Sequence, residues 1–140
     1  MALEKARKVA QDNPNENILA CDTIVAVGKR ILHKSQNAEE QTKVMNLLSG
    51  KTHRVISAVC LINKHGKISQ RTVSSKVSMK TLTPDEIKSY VDGDEWHGVC
   101  GYRIDGTLAG YVCRILGSYS GIIGLPLYET LNLLKGENIR

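Results

Sequence analysis

Asp22 lies in the middle of an otherwise apolar run, Ile18-Leu19-Ala20-Cys21-Asp22-Thr23-Ile24-Val25-Ala26-Val27. The length of this run and its β-branched residues are typical of a strand that is covered on both faces. A buried carboxylate without a partner is costly, so we expect a cation, a metal ion or several N–H donors beside it. Two interpretations stay open: an acid that does chemistry, and a structural acid that caps a loop or pairs with a lysine.

The composition limits the class of protein. Of the 140 residues, 41% are hydrophobic and 24% are charged, as in a soluble globular protein, and we predict a single domain over residues 1–140. No apolar stretch approaches the ~20 residues that span a bilayer, so no membrane partner is expected. The first residues carry charge but no apolar signal segment, and the expected location is the cytoplasm.

The net charge and the spacing of the cysteines further limit the classes of ligand that the chain could bind. The net charge of +5 suits an anionic ligand. Because the basic residues are scattered and the chain has one Trp and no Phe, a stacking surface for nucleic acid is not expected, whereas a small phosphorylated substrate suits this charge. The cysteines lack metal-ligand spacing, with one another and with the histidines, so we expect no zinc site and free thiols at Cys21, Cys60, Cys100 and Cys113.

Hydrophobic periodicity and turn residues place the elements that must position Asp22. The first helix is predicted over residues 2–12, with Leu3, Ala6, Val9 and Ala10 inward, and the second runs from the cap Asn37 to Gly50, with Val44, Leu47 and Leu48 inward. The third helix runs from the capping box Thr83-Pro84-Asp85-Glu86 to Gly93. The last helix follows Leu125-Pro126, with Leu127, Leu131 and Leu134 inward. Strands are predicted over 18–27, 31–33, 52–63, 68–81 and 107–116, the third and fourth forming a hairpin. Helices and strands in this order predict an α/β fold with a mixed sheet.

The order of short motifs along nearly the whole chain resembles the Maf family of nucleoside triphosphate pyrophosphatases. The motifs are Ala20-Cys21-Asp22-Thr23, Ile31-Leu32-His33-Lys34, Leu48-Ser49-Gly50-Lys51-Thr52-His53, Gly101-Tyr102-Arg103-Ile104-Asp105-Gly106 and Gly117-Ser118-Tyr119-Ser120-Gly121-Ile122-Ile123-Gly124-Leu125-Pro126-Leu127-Tyr128-Glu129. The segment Glu95-Trp96-His97-Gly98 is similar to the alphaproteobacterial branch.

The resemblance implies both a fold and a reaction. The implied fold is an elongated mixed β-sheet flanked by helices, with two lobes around a nucleotide cleft. The implied reaction hydrolyses a nucleoside triphosphate, such as dTTP, UTP or a modified nucleotide, to its monophosphate and pyrophosphate. A divalent cation, Mg²⁺ or Mn²⁺, is the implied cofactor. The family is also linked to inhibition of septum formation, and we expect a homodimer.

The resemblance also assigns roles to four residues. Asp22 matches the family acid that accepts a proton, and we expect it to hold the metal ion as well. Thr23 matches the position that influences base selection, and Lys34 matches a lysine placed to contact phosphate. Asp105 stands where the family has glutamine; because a carboxylate only accepts hydrogen bonds, we expect an altered base preference.

Two departures from the family pattern leave alternatives open. The chain as given begins after the point where the family has an S-x-S-P-R-R loop and its strand, so we expect a sheet that lacks this strand. Val99 stands where the family has a lysine that would neutralise phosphate charge. The alternatives to a working pyrophosphatase are therefore a relative that binds nucleotide without turnover and a non-enzymatic module that binds a cell-division partner. For Ser49, Gly50 and His53 a structural role is preferred over a catalytic one.

Overall fold

A computed structural model describes residues 1–139 of the chain. The helices are α1 (Ala2–Asp12), α2 (Ala38–Leu48), α3 (Pro84–Asp92), α4 (Tyr119–Ile123) and α5 (Leu127–Gly136), with a 3₁₀ helix at Thr107–Tyr111. The strands are β1 (Ile18–Val27), β2 (Arg30–Leu32), β3 (Thr52–Ile62), β4 (Ile68–Met79) and β5 (Val112–Leu116). The predicted α/β class, a sheet flanked by helices, is confirmed.

The strands form one five-stranded sheet in the order β2-β1-β3-β4-β5. β1 pairs antiparallel with β2 from Val25 opposite Leu32 to Val27 opposite Arg30. β4 pairs antiparallel with β5, with an irregularity between Ser78 and Met79. Contacts divide the chain into two compact units: unit 1 comprises residues 1–23, 56–74 and 118–140, and unit 2 comprises residues 24–55 and 75–117. Three of the boundaries between the units fall within β1, β3 and β4, and the fourth lies between β5 and α4.

The core of unit 1 lies on both faces of β3. Cys60 and Ile62 pack with Ala2 and Ala6 of α1 and with Ile18 of β1. Val59 and Leu61 pack with Leu133 of α5. Successive side chains of a strand point to opposite faces, so α1 and α5 cover opposite faces of β3. This arrangement fixes α1 beside the strand that carries Asp22.

Unit 2 is built around α2, α3 and the loop that follows α3. The caps predicted from the sequence are present: the Asn37 side chain accepts a hydrogen bond from the Glu40 N–H, and Thr83 and Glu86 form the capping box of α3. These caps satisfy N–H groups that have no partner inside their helix. Large apolar side chains buried in this unit include Met45, Leu48, Tyr90, Trp96, Tyr102 and Leu108.

The predicted element bounds are close to those observed, but three helix faces are only partly right. Leu3, Ala6, Ala10, Leu48 and Leu134 pack inward as predicted, whereas other predicted inward residues do not. Val9 is largely exposed while Ala2 is buried. In α2 the buried residues are Gln41, Met45 and Leu48, rather than Val44, Leu47 and Leu48. In α5, Leu127 and Leu131 are exposed, and Thr130 and Leu133 are buried instead. In α2 and α5 the buried stripe is displaced around the helix from the predicted one, because apolar residues on two adjoining stripes do not specify which stripe faces the core.

The predicted strand over 107–116 is half wrong. Residues Thr107–Tyr111 form the 3₁₀ helix, and only Val112–Leu116 are extended. Glu95 caps this helix, since its carboxylate accepts hydrogen bonds from the N–H and the hydroxyl of Thr107. A cap supplied from twelve residues away leaves no local signal. Helix α4 is also an element that the sequence did not predict. No helix within residues 1–139 is long and apolar enough to cross a bilayer.

Candidate functional site

Asp22 lies on the face of β1 that α1 covers, and its partner is Lys5. The Lys5 ammonium donates to Asp22 Oδ1 at 2.7 Å, and the Asp22 side chain is 17% exposed whereas that of Lys5 is 56% exposed. The expected cation beside the acid is thus present. Among the described residues, Asp22 Oδ2 has no hydrogen-bond partner, so one carboxylate oxygen remains open to a water molecule, a substrate or a metal ion.

Thr23 points to the opposite face of β1 and belongs to a hydroxyl cluster. Its Oγ1 lies 2.8 Å from Ser57 Oγ and 3.3 Å from the Gly124 carbonyl oxygen, to which it donates. Ser57 is buried and donates to the Gly121 carbonyl. These bonds tie β1 and β3 to the segment 118–125. Thr23 therefore helps to hold the segment 118–125 in position. The sequence did not predict this contact.

Lys34 follows β2 and is exposed. Its backbone forms an isolated antiparallel bridge with Cys100, in the loop after α3. Within residues 1–139 no carboxylate lies within ion-pair distance of the Lys34 ammonium, so the cation is available to an anionic ligand. The bridge places the Lys34 backbone beside the loop that carries Asp105.

Asp105 is held by its neighbour Arg103. The guanidinium donates from Nε to Oδ1 at 3.2 Å and from Nη2 to Oδ2 at 3.1 Å. The hydrogen bond from Arg103 lowers the pKa of the Asp105 carboxyl below its ordinary value. Both carboxylate oxygens are engaged in this two-pronged ion pair, which is stronger and more directional than a single contact. Any contact of Asp105 with a substrate has to compete with Arg103.

His53 and Tyr102 form a buried pair in unit 2. His53 is 1% exposed, and its Nε2 is hydrogen-bonded to the hydroxyl of Tyr102. Nδ1 has no partner in the described part of the chain. Burial lowers the pKa of His53 to about 4, which makes the neutral ring the native form. The pair anchors the loop before Asp105 to the start of β3, and this is a structural role, as expected.

Ser49 and Gly50 also have structural roles. Ser49 Oγ accepts a hydrogen bond from the Leu82 N–H at 2.7 Å. Gly50 ends α2 with φ +68°, and a Cβ there would lie 2.8 Å from Thr81 Oγ1. The left-handed conformation and the close approach both favour glycine. The motif Leu-Ser-Gly thus shapes the connection between α2 and β3.

The four cysteines are free thiols, as predicted. Burial raises the pKa of the Cys21 and Cys60 thiols, so neither is an activated nucleophile. Cys21 Sγ donates to the Gly124 carbonyl at 2.7 Å, which adds to the contacts between β1 and the segment 118–125.

The described residues contain no group of three or more His, Cys, Asp or Glu side chains that could hold a metal ion. A structural zinc site needs four such ligands, and none is present in this part of the molecule. Magnesium has a different requirement, since it is often bound by one or two carboxylates together with substrate phosphates and water. The open oxygen of Asp22 fits that donor set.

The buried His53 gives a pH-dependent stability that can be measured. Because the folded pKa of about 4 lies below the ordinary 6.5, the unfolded chain binds the proton more tightly. The stabilising contribution of the buried, neutral His53 is therefore complete above pH 6.5 and decreases as the pH falls from 6.5 to 4. We expect the free energy of unfolding, measured with urea, to fall between pH 7.5 and pH 4.5 in the wild type. This fall should be about 2 kcal/mol larger in the wild type than in His53→Gln. An equal pH difference in the two proteins would contradict this assignment.

Sequence reasoning did not single out Lys5 or Arg103. Lys5 lies one helical turn into α1, and only the packing of α1 on β1 places it against Asp22. Arg103 precedes Asp105 by two residues, a spacing that a turn brings into contact. The sequence signal for Arg103 is its position two residues before Asp105, between Gly101 and Gly106, where a turn is expected.

Comparison with known proteins identifies the family. The family model for Maf-like proteins matches residues 1–137. A protein of Mesorhizobium japonicum named dTTP/UTP pyrophosphatase is 42% identical over the whole chain, which covers 71% of that protein. Relatives with the same name from Caulobacter vibrioides and Nitrobacter hamburgensis are each 44% identical, over 100% and 95% of the chain.

The chain spans 73% of the Caulobacter protein and 65% of the Nitrobacter protein. The match extends over nearly the whole of this chain and includes the strand of Asp22, the turn of Asp105 and helix α5. On these matches, the chain belongs to the Maf family.

Proposed function

We propose that this protein hydrolyses a nucleoside triphosphate to the monophosphate and pyrophosphate. The observation that carries the proposal is the pair of Asp22 and Lys5, in which an acid that is 17% exposed keeps one oxygen open beside a cation. The curated relatives named dTTP/UTP pyrophosphatase support the reaction class and the choice of first substrates to test.

In the proposed reaction Asp22 is the general base. Its carboxylate takes a proton from water, the water oxygen attacks the α-phosphorus, and the bond from that phosphorus to the oxygen bridging to the β-phosphate breaks. The pair of electrons leaves with pyrophosphate, and the nucleoside monophosphate remains. The ammonium of Lys5 orients Asp22 through Oδ1, which directs Oδ2 to the water.

The remaining roles follow from charge and contacts. Lys34 supplies a cation for phosphate oxygens, since no described carboxylate neutralises it. Thr23 and Asp105 are proposed substrate-binding residues, Thr23 by fixing the segment 118–125 and Asp105 through Arg103. A divalent cation, Mg²⁺ or Mn²⁺, would be held by Asp22 and would neutralise charge on the phosphates when bound.

The direct test is a panel of dTTP, UTP, dCTP and dGTP with Mg²⁺, in which the nucleotide products are separated and pyrophosphate is measured. We expect monophosphate and pyrophosphate in equal amounts and no product after addition of EDTA. Nucleotide-dependent thermal stabilisation without turnover would instead favour a binding protein. A cell-division partner, a cytoplasmic location and a homodimer stay predictions that this panel does not address.

The contribution of Lys34 can be measured separately. We expect Lys34→Met to raise KM for the best substrate by about tenfold with a smaller change in kcat, because a charged hydrogen bond to the ground-state phosphate is lost. Lys29→Met, in the exposed turn between β1 and β2, is the matched control for the loss of one positive charge. Equal effects of the two variants would remove Lys34 from the site.

A further inference from the structure

The first half of β1 has a strand neighbour on one side only. In the sheet, β2 lies outside β1, but it pairs only with the residues from Val25 to Val27. Residues 18–23, which belong to unit 1, therefore form an open edge, named here the β1 edge. Residues 19–23 are exposed or half-buried, whereas residues 25–27, which β2 covers, are buried.

Alternate residues of the β1 edge direct their backbone N–H and C=O groups away from β3. Val27 and Arg30 flank the two-residue turn and form a hydrogen-bonded pair between β1 and β2. Because this direction alternates along a strand, Leu19, Cys21 and Thr23 face the open side as Val27 does. Outside the sheet, no backbone hydrogen bond to these three residues is present within residues 1–139. Such an edge is a template for a further strand.

The other edges of the sheet are protected in ways that the β1 edge is not. β2 has three residues and β5 has five, and short edge strands offer few hydrogen bonds. The part of β4 that β5 leaves open, residues 68–75, carries Arg71 among mostly polar residues. The β1 edge has the sequence Ile-Leu-Ala-Cys-Asp-Thr, and its single charge, Asp22, is paired with Lys5. Neither a charged residue facing solvent alone nor short length keeps another strand away from it.

Exposed apolar side chains continue from the β1 edge onto α4 and α5, all within unit 1. Leu19 is 40% exposed and lies on the face of β1 that contacts the segment 118–125. Ile123 of that segment is exposed, as are Leu127 and Leu131 on consecutive turns of α5. These four residues, named here the apolar patch, accompany the unpaired backbone groups. An apolar patch of this kind indicates an interaction surface.

We propose that a second copy of this chain covers the β1 edge, with the two edges antiparallel and centred on Cys21. A strand can pair with its own copy around a two-fold axis. Cys21 then lies opposite Cys21 of the second copy, and Leu19 lies opposite Thr23, so that the backbone groups facing the open side bond to one another. The axis also brings the two apolar patches to the same face of the joined sheet.

The charges of the β1 edge are compatible with this pairing. Asp22 lies opposite Ala20 of the second copy rather than opposite the same acid, and Lys5 already neutralises it. Like charges directly opposite one another, which would weaken the pairing, are therefore absent from this edge. The Asp22 side chain points to the face that α1 covers, so the pairing does not occupy its open oxygen. The inference is independent of the proposed function.

The first test is the mass of the full chain by sedimentation velocity over a range of protein concentrations. We expect a reversible dimer for the wild type, and a dissociation constant raised by about tenfold or more in Leu19→Lys, because a lysine on an edge strand opposes pairing. Ile68→Lys is the matched control, since Ile68 is also 40% exposed and lies in β4 of the same unit; it dimerises as the wild type does. A monomeric wild type, or equal effects of the two variants, would overturn the inference.

Hydrogen exchange of single amides, followed by NMR, tests the pairing itself. We expect the N–H groups of Leu19, Cys21 and Thr23 to become protected as the protein concentration rises. Those of Ala20 and Asp22 face β3 and are protected at every concentration. A dimer without this alternation would have its contact elsewhere, and a monomer that protects all five amides would have an edge that is already covered. Either result would overturn the inference.

A second variant keeps the test decisive if Leu19→Lys fails to fold, which circular dichroism would show. Leu127→Lys changes an exposed helix residue of the apolar patch and leaves the β1 edge intact. We expect it to weaken the dimer several-fold, because a charge is placed beside the two-fold axis. An unchanged dissociation constant in Leu127→Lys would remove the apolar patch from the interface and contradict the proposed arrangement.

Discussion

Asp22→Asn is expected to lower the rate of pyrophosphate release by about 10²- to 10⁴-fold, the usual contribution of a general base. The amide still accepts a hydrogen bond from Lys5, so the local geometry is retained while the proton acceptor is lost. The measurement is kcat for the best nucleotide at saturating Mg²⁺. Asp12→Asn, at the end of α1, is the control for the loss of one carboxylate and leaves the rate unchanged.

The same variant distinguishes a catalytic acid from a structural one. The partner Lys5 is more than half exposed, and such ion pairs contribute at most about 1 kcal/mol to stability. We therefore expect the free energy of unfolding of Asp22→Asn to change by less than about 1 kcal/mol. A clear loss of stability together with unchanged turnover would make Asp22 a structural acid, the alternative that its sequence context left open.

Gly117→Ala is expected to have the largest effect on stability of any glycine substitution, about 3 kcal/mol or more. Gly117 has φ +131°, and a Cβ there would lie 2.9 Å from the Ser75 Cα and 2.5 Å from its Oγ. Strained backbone of this kind costs about 1–3 kcal/mol by itself, and the contact with Ser75 involves backbone that cannot move aside. Thermal or urea unfolding measures the loss.

Gly28→Ala is the matched comparison for Gly117. Gly28, in the turn between β1 and β2, has φ +58°, and a Cβ added there would have no other atom within 4 Å. Only the left-handed conformation is penalised, and we expect a loss of about 1 kcal/mol. Equal losses at the two glycines would show that the close approach to Ser75 contributes nothing.

Much of the secondary structure could be predicted from local signals. The bounds of α1, β1, α2 and α3 follow from caps, glycines and prolines, whose effects act within a few residues. Asn37 and Thr83 form the expected caps with the expected partners. The 3₁₀ helix at Thr107–Tyr111 was missed because its cap, Glu95, lies twelve residues earlier.

Helix orientation was the part that periodicity predicted least well. Gln41 is fully buried in α2 because its side chain bonds to Ser35 and to the Gly101 carbonyl. A polar residue with such partners costs little to bury, but the partners are known only once the loop is in place. The exposed Leu127 and Leu131 of α5 show the converse, since this helix turns Thr130 and Leu133 inward instead.

For the candidate site, the sequence by itself determined that an acid stands within a strand and that the chain carries the ordered motifs of its family. These are properties of residue type and spacing. Only the tertiary structure decided which groups meet that acid: α1 brings Lys5 to Asp22, and the turn at Arg103 occupies both oxygens of Asp105. The physical reason is that a carboxylate acquires its role from the charges around it, and packing places those charges.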